Sequence, residues 1–239
     1  MTEALFREDA SLLTCESTVL ACTDQGVVLD RTVFYPMGGG QAGDAGVLVL
    51  PDGREVAVVD TRKGAQPGEI VHVLAQAGDI AAFAPGQPLI ARIDASRRHA
   101  HMRFHTATHL LCALVPHPVD GCSITAGYAR LDFHMTEPLD KEALTAGIAR
   151  LVAEARPVRH RWISEAELDA QPQLVRSMSV QPPRGQGRVR VLEIEGVDLQ
   201  PCGGTHVANT AEVGDVVVTK IEKKSARTRR VVLGFASGV

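Results

Sequence analysis

Residues 94–116, DASRRHAHMRFHTATHLLCALVP, divide the sequence into two parts with different patterns. Their apolar and semipolar residues recur at helical spacing, Asp94 or Ser96 can cap the first turn, and Pro116 stops the pattern. We therefore predict a single helix of about 20 residues at this place. Because the patterns before and after it differ, the helix also marks the start of a second domain.

Before this helix, short apolar runs alternate with turn residues. The runs are STVLAC, GVVLD, GVLVL, EVAVVD, EIVHVL and PLIARID, and turns such as Asp24-Gln25-Gly26 and Pro51-Asp52-Gly53 separate them. Short runs with this spacing predict a small antiparallel β-barrel. We assign residues 1–93 to this barrel domain, which also carries a glycine-rich loop.

After the helix, helical and strand patterns are mixed. A second helix is predicted over Pro138–Ala155, and the capping-box spacing of Ser164 and Glu167 predicts a short third helix. The stretches GRVRVLEI, GDVVVTKIEKK and TRRVVLGFA predict strands, the last two joined as a hairpin across Ser225-Ala226-Arg227. We assign residues 94–239 to an α+β domain with a mixed or antiparallel sheet, so the predicted fold class of the chain is α+β.

Composition excludes several classes of protein. The chain has 239 residues, 45% of them hydrophobic, which suffices for a core, and none of its apolar runs approaches the roughly 20 residues of a membrane span. Five cysteines are an odd number for a disulfide framework, so we expect a cytoplasmic protein without a membrane partner. With only 4% aromatic residues, stacking on aromatic rings can be only a minor binding mode.

Charge is divided unevenly along the chain. Residues 1–95 carry 6 Lys and Arg against 13 Asp and Glu, or −7, whereas residues 96–239 carry 19 against 15, or +4. This asymmetry predicts two modules with different roles.

Two pairs of potential metal ligands have the same spacing. On a helix, positions i and i+4 share a face, so His105 and His109 can reach one atom. Cys202 and His206 are also four apart, in PCGGTHV, where two glycines indicate a tight loop. Together the pairs supply four nitrogen and sulfur ligands, the usual number for tetrahedral zinc, so we predict one zinc ion. Taken alone, HxxxH also fits an ordinary amphipathic helix, and it lacks the Glu of the HExxH proteases.

The number of ligands leaves the role of the ion open. Catalytic zinc usually has three protein ligands and an open position, so a site with four is structural, orients the substrate or expands its coordination. We expect His101, one turn before His105, to contact the substrate or the ligands and not the ion.

These motifs, in this order, resemble the AlaX family of freestanding alanyl-tRNA editing proteins, which is similar to the editing domain of alanyl-tRNA synthetase. The matching stretches are RRHAHMRFHTATHLLCAL, GYARLDF, CGGTHVANTAEVG and VTKIEKKSARTRRV, and YPMGGGQAGDAG resembles the glycine motif of the longer, two-domain type. The resemblance implies zinc at His105, His109, Cys202 and His206. It also implies a trans-editing hydrolase that removes Ser, or Gly, from mischarged tRNA(Ala).

The resemblance also suggests substrate contacts. Thr108 matches a position at which the family is thought to sense the amino-acid side chain, whereas Val119–Ser123 departs from the Gln-containing segment common in the synthetase domain. We expect the glycine-rich loop to close over the editing pocket, with Gln41 and Asp44 near the terminal adenosine; a tight β-turn is the alternative. The predicted substrate-binding residues are Thr108, His101, Gly203, Gly204, Thr205, Gly38, Gly39, Gly40, Gln41 and Asp44.

A basic cluster near the C-terminus predicts contacts with phosphate. Lys220, Lys223, Lys224, Arg227, Arg229 and Arg230 lie within 11 residues, with only Glu222 opposing them. We predict that they bind tRNA together with Arg97, Arg98 and Arg103, with an affinity that falls as salt rises. A solvated hairpin face is the alternative.

For the reaction we hypothesise that zinc positions a water and withdraws charge from the ester carbonyl, without a side-chain nucleophile. Backbone N–H groups of Gly203 and Gly204 can face the developing oxyanion, or these glycines only permit the turn. Two other functions stay open: a non-catalytic, zinc-stabilised tRNA-binding module, and a deacylase of another misacylated tRNA. The sequence leaves the oligomeric state undetermined, with a monomer as the working expectation.

Overall fold

The computed structural model describes residues 1–178, 181, 182, 185 and 187–236. The chain divides into two compact units. One comprises Met1–Gly38 and Ala42–His99, and the other Gly39–Gln41 and Ala100–Val239. Each unit has its own hydrophobic core.

The first unit is built around a closed antiparallel barrel. In chain order its strands are β1 (Glu3–Ala4), β2 (Thr14–Thr23), β3 (Gly26–Leu29), β4 (Arg31–Thr32), β5 (Gly46–Val49), β6 (Glu55–Lys63), β7 (Ile70–Leu74) and β8 (Pro88–Ile93). Six of them form the barrel in the order β2-β3-β7-β6-β5-β8, whereas β1 and β4 pair with each other. Each predicted run coincides with one barrel strand, which confirms the predicted barrel.

Alternation of side chains explains why these runs form a barrel. In β8, Leu89, Ala91 and Ile93 are buried in the barrel core, and the residues between them are exposed. This period of two places one set of side chains inside and the other in solvent.

An ion pair is buried in the same unit. The guanidinium of Arg98 binds the carboxylate of Asp44, and both side chains are 1% exposed. Arg98 also donates to the carbonyl of Ala10 at 2.8 Å, and Asp44 accepts from the Tyr35 N–H at 2.7 Å. Each charge is compensated by the other. A substitution that removes one of them would leave the other charge buried without its partner, which is strongly destabilising.

His72 is a second buried polar group of the barrel. Its Nδ1 donates to the carbonyl of Val27 at 2.9 Å, so its Nε2 accepts from the hydroxyl of Thr32 at 2.8 Å. The neutral ring is therefore satisfied at both nitrogens. Burial lowers the pKa of His72 from 6.5 to about 4, and the hydrogen bond to Val27 opposes this only in part.

The second unit combines helices with two antiparallel sheets. Helix α1 (Ala95–Leu114) belongs to this unit from Ala100 onward. The further elements are β9 (Val119–Ile124), β10 (Ala129–His134), α2 (Lys141–Ala153), β11 (Val158–Ser164), α3 (Glu165–Asp169), β12 (Arg188–Ile194), β13 (Asp198–Pro201), β14 (Val216–Ser225) and β15 (Thr228–Phe235). The sheet orders are β14-β15-β10-β9 and β11-β12-β13. Short 3₁₀ turns cover Leu5–Arg7 and Ala77–Ala82 in the first unit, and Pro172–Leu174 and Thr210–Val213 in the second. The α+β class is confirmed.

The helices follow their sequence signals closely. Helix α1 has 20 residues, and Asp94 caps it by accepting from the Arg97 N–H at 3.0 Å. Helix α2 starts later than predicted because the carboxylate of Asp140 accepts from the Ala143 N–H and fixes the first turn. The capping box of Ser164 opens α3 as predicted, and β14 and β15 form the predicted hairpin.

Helix α1 is buried through its second half. Residues 104–112 are all buried, and Phe104, Leu110 and Leu111 pack in one core with Phe133 and Leu233. The histidines and threonines in this stretch therefore need hydrogen-bond partners inside the protein. Across the described ranges, none of the helices combines the length and apolar character needed to cross a bilayer.

The pKa of His72 predicts a pH dependence of stability. Below pH 6.5 the unfolded chain takes up a proton at this residue, whereas the folded chain does so only near pH 4. The contribution is therefore complete above pH 6.5 and is lost as the pH falls, with a decrease in the free energy of unfolding of up to about 3 kcal/mol.

Denaturant titrations of the wild type and His72→Asn between pH 7 and 4 measure this effect. The stability difference between the two should shrink by about that amount. The exposed His99, changed to Asn, serves as the control for a histidine at the surface. A constant difference for His72→Asn would contradict the prediction.

Candidate metal centre

Four potential ligands converge in the second unit. One donor atom from each of His105, His109, Cys202 and His206 lies within 4.8 Å of the others. Helix α1 supplies the first two, on one face and one turn apart, and the loop after β13 supplies the others. The sulfur of Cys202 lies 3.4 Å from Nε2 of His105 and 3.2 Å from Nε2 of His206.

Hydrogen bonds at the outer nitrogens orient the imidazoles. His109 Nδ1 donates to the carboxylate of Asp198 at 2.7 Å, and His105 Nδ1 donates to the amide oxygen of Gln41 at 2.7 Å. His206 Nδ1 lies 3.2 Å from the hydroxyl of Thr106. Because Nδ1 is engaged in each ring, Nε2 is the nitrogen that faces the cluster, which is the arrangement found around metal-bound histidines.

The amide of Gln41 is itself held in one orientation. Its oxygen accepts from the backbone N–H of Thr205 at 3.1 Å, and its nitrogen donates to the Thr205 hydroxyl at 2.9 Å. Gln41 is fully buried. The oxygen is therefore directed at His105, and the ring has a defined tautomer.

The donor set fits one tetrahedral ion. Bond lengths of about 2.0–2.3 Å to nitrogen and sulfur place neighbouring tetrahedral ligands roughly 3.3–3.6 Å apart, close to the sulfur–nitrogen distances in the cluster. Thiolate and imidazole ligands suit zinc and similar transition metals better than calcium or magnesium. The four residues can thus hold a metal ion.

The protonation of Cys202 differs from that of the other cysteines. Burial raises the pKa of Cys15 and Cys22, and it raises the pKa of Cys112 and Cys122 to about 12. Burial acts in the same direction on Cys202, but the imidazoles of His105 and His206 hold its pKa well below the usual value. Cys202 is therefore the cysteine that provides a thiolate.

Asp198 adds a second negative charge. Burial opposes protonation of His109, but hydrogen bonds to Asp198 and Cys202 raise the pKa of His109 to about 10. Burial together with the charge of His105 keeps the pKa of His206 well below its usual value. A thiolate and a carboxylate together balance the charge of a divalent cation in a buried position.

The two glycines of the loop have different surroundings. A Cβ on Gly204 would lie 2.1 Å from Cε1 of His105 and 2.8 Å from the amide oxygen of Gln41. A Cβ on Gly203 would meet nothing within 4 Å, and this residue is exposed. Gly204 is therefore required for the close approach of loop and helix, whereas Gly203 lies at an open side of the centre.

Most predicted substrate residues lie near the centre but already have partners. Thr108 is buried and donates to the carbonyl of His105 at 2.7 Å, and Thr205 is held by Gln41. His101 is buried one turn before His105. The amide of Gln41 is hydrogen-bonded to His105 and Thr205, and its contact with the terminal adenosine stays a prediction.

The rest of the glycine motif has structural contacts. Gly39 and Gly40 have positive φ angles of 59° and 88°, and a Cβ on Gly40 would lie 2.9 Å from the sulfur of Cys122. The carbonyl of Gly38 accepts from the hydroxyl of Tyr35. Asp44 is buried and paired with Arg98, and its contact with the substrate stays a prediction.

The predicted tRNA-binding cations fall into two groups. Arg98 is buried with Asp44, Arg229 is buried and donates to the carbonyls of Thr136 and Ser225, and Arg230 pairs with Asp132. Their contacts with phosphate stay predictions. Partners are also present for Arg97 (the Gly43 carbonyl), Arg103 (Asp215 and the Phe235 ring) and Lys220 (Glu222). Lys223, Lys224 and Arg227 are exposed at the tip of the β14–β15 hairpin.

Sequence reasoning missed Asp198 and Thr106. Asp198 lies four residues before Cys202, and Thr106 stands between the two histidines of HTATH. These positions next to the predicted ligands were the only local indication of a role at the centre. Their roles depend on contacts over 89 and 100 residues of sequence.

The glycine pair allows a matched test of the centre. Gly204→Ala should displace His105 and lower the bound metal well below one ion per chain, whereas Gly203→Ala should retain full occupancy. Metal content by mass spectrometry after gel filtration, with circular dichroism to verify folding, measures both. Equal occupancy in the two variants would contradict the assigned geometry.

Comparison with known proteins identifies the family. A family model described as class II (A) tRNA synthetases matches residues 5–97, and one described as the second additional domain of threonyl and alanyl tRNA synthetases matches residues 189–232. Alanyl-tRNA editing protein AlaX-M of Methanosarcina barkeri is 36% identical over 97% of this chain and 98% of its own length. AlaX-M of Saccharolobus solfataricus is 32% identical, with the same shares.

A longer class of relative also matches. Alanine–tRNA ligase of Pyrococcus furiosus is 33% identical over 99% of this chain, but this covers only 26% of the ligase. The similarity to the AlaX-M proteins, by contrast, extends over almost the whole of both chains. By this similarity the chain belongs to the AlaX-M family of alanyl-tRNA editing proteins.

Proposed function

We propose that this chain is an aminoacyl-tRNA hydrolase that edits tRNA(Ala) by removing serine, and less readily glycine, from the mischarged 3′ end. The observation that carries the proposal is the convergence of His105, His109, Cys202 and His206 beside an open glycine turn. The names of the AlaX-M relatives support tRNA(Ala) as the substrate.

We assign one zinc ion to the four ligands, in keeping with the mixed sulfur and nitrogen donor set. When bound, such an ion supplies Lewis acidity to an ester carbonyl or its attacking water. The protein's own residues prepare this chemistry: Asp198 and Gln41 orient His109 and His105, and the Cys202 thiolate contributes negative charge. Exposure of Gly203 supports an approach of the ester from the side of the glycine turn.

Selection of serine can be derived from Thr108. Its hydroxyl proton is used in the bond to the His105 carbonyl, so the oxygen can offer a ligand only acceptor capacity. Serine can donate its hydroxyl proton to this oxygen, whereas alanine and glycine cannot. A site of this kind leaves a buried acceptor unpaired with alanine, which protects the correct product.

We further propose that residues 1–93 form a barrel domain and residues 94–239 the editing domain. Lys223, Lys224 and Arg227 are the best candidates for phosphate contacts, because they are exposed and clustered. All five cysteines are free, which supports a reducing compartment such as the cytoplasm. A monomer remains our prediction for the oligomeric state.

One observation favours a second candidate, a zinc-stabilised tRNA-binding module without activity. Four protein ligands around one ion are typical of structural zinc. The two functions differ in whether the ester is cleaved, which a deacylation assay decides.

Incubation with labelled Ser-tRNA(Ala), Gly-tRNA(Ala) and Ala-tRNA(Ala) should release serine fastest and alanine slowest. Cys202→Ala should reduce serine release by at least about 100-fold, the scale on which an important active-site group acts. The matched control is Cys22→Ala in the barrel, which should keep wild-type rates. Tight tRNA binding without release of any amino acid would favour the binding module, and full activity after complete metal removal from folded protein would exclude the metal-assisted route.

Thr108→Val tests the source of selectivity, because valine has the shape of threonine without the hydroxyl. The ratio of kcat/KM for Ser-tRNA(Ala) over Ala-tRNA(Ala) should fall about tenfold, as expected for one hydrogen bond. Thr108→Ser keeps the hydroxyl and should preserve the ratio. An unchanged ratio in Thr108→Val would assign discrimination to another group.

A further inference from the structure

The only tryptophan of the chain, Trp162, lies in β11 and is partly exposed. Trp162 belongs neither to the four potential metal ligands nor to the basic β14–β15 hairpin. Its position on the sheet β11-β12-β13 relates it directly to the metal centre.

Pairing of the strands puts Trp162 in one row with Cys202. Trp162 pairs with Arg190 across β11 and β12, and the N–H of Cys202 donates to the carbonyl of Arg190 at 3.1 Å. Residues that pair across antiparallel strands share a face of the sheet. Two strand spacings of about 4.8 Å put the backbone of Trp162 on the order of 10 Å from that of Cys202.

Two arginines lie in or next to this row. The guanidinium of exposed Arg188 lies 4.5 Å from the centroid of the Trp162 ring. Arg190 Nη1 donates to the carbonyls of Cys202 at 2.9 Å and Gly204 at 3.2 Å, which puts a second cation next to the glycine turn. A partly exposed aromatic ring with an exposed arginine against it is suited to a nucleotide, since the base stacks and the phosphate is attracted.

The opposite face of this sheet packs against a separate hydrophobic core. Ile163, Val189 and Val191 pack there into a separate apolar core with Leu168 and Leu174. Arg161, next to Trp162 in sequence but on that opposite face, pairs with Glu193 at 3.3 Å. The tryptophan is thus on the face that leads to the metal centre and not on the one that builds this core.

We propose that Trp162 and Arg188 form a stacking site for a base of the single-stranded 3′ end of the aminoacyl-tRNA, while the ester lies at the metal centre. The identity of the nucleic acid rests on the proposed function. The stacking site fixes the 3′ end beside the glycine turn, so it contributes to substrate binding and not to the chemical step.

Because Trp162 is the only tryptophan, its fluorescence reports this contact directly. Titration of the wild type with the trinucleotide CCA, and separately with uncharged tRNA(Ala), should quench the tryptophan emission to saturation. Arg188→Ala should weaken trinucleotide binding about fivefold or more, within the range of one stacking or cation–π contact. Arg161→Ala is the matched control, an exposed arginine on the other face, and should bind as the wild type does. Absence of quenching by both probes would overturn the proposal.

Kinetics of deacylation give a second readout. Trp162→Leu should raise KM for Ser-tRNA(Ala) about tenfold with kcat changed less than about twofold, whereas Trp162→Phe should retain most of the affinity. An unchanged KM in folded Trp162→Leu would overturn the stacking role. If Trp162→Leu does not fold, quenching of the wild type by CCA and the weaker binding of CCA to Arg188→Ala decide.

The two proposals fail in different ways. Quenching by CCA without any deacylation would reject the hydrolase and keep the nucleotide site. Deacylation without quenching, and with normal KM in the variants, would keep the hydrolase and reject the nucleotide site.

Discussion

The second unit depends on one constraint: three imidazoles and one thiolate must point their donor atoms at the same position. Each imidazole can do so only if its other nitrogen is engaged outside the cluster. Asp198, Gln41 and Thr106 provide these outer contacts, at 2.7, 2.7 and 3.2 Å. They come from a strand, the glycine motif and α1, so the centre ties together segments that are far apart in sequence.

The same constraint explains the charges of the centre. A buried thiolate and a buried carboxylate are unfavourable unless a cation compensates them. Without a metal, the proton on His109 provides part of this compensation, as its raised pKa indicates. When a divalent ion is bound, the two negative charges stabilise it at the position that the four donor atoms surround. Gly204 is needed for this approach, since a side chain there would collide with His105.

Much of the fold could be predicted because its signals are local. The barrel strands are bounded by turn residues, α1 is capped by Asp94 and ended near Pro116, and α3 has its capping box in sequence. The strand β9, VDGCSI, was missed because its middle residues are all partly buried and give no alternation. Local periodicity contains no information on such a strand, whose pairing with β10 determines it.

The convergence of the four side chains could also be predicted, because their i and i+4 spacing is visible in the sequence, but the hydrogen bonds to their outer nitrogens could not. Arg98 stands in a basic, surface-like stretch, and only its contact with Asp44, 54 residues away, makes it a buried residue. Gln41 is predicted at the substrate, and its contact with His105 over 64 residues was not predicted. In both cases the tertiary contact is one that local sequence cannot show.

The most direct test of the account is X-ray absorption at the metal edge of the purified protein. One ion per chain should show a shell of one sulfur at about 2.3 Å and three nitrogens at about 2.0–2.1 Å. A shell without sulfur, a shell with two or more sulfurs, or a folded chain that retains no metal would contradict the convergence of these four side chains on one ion.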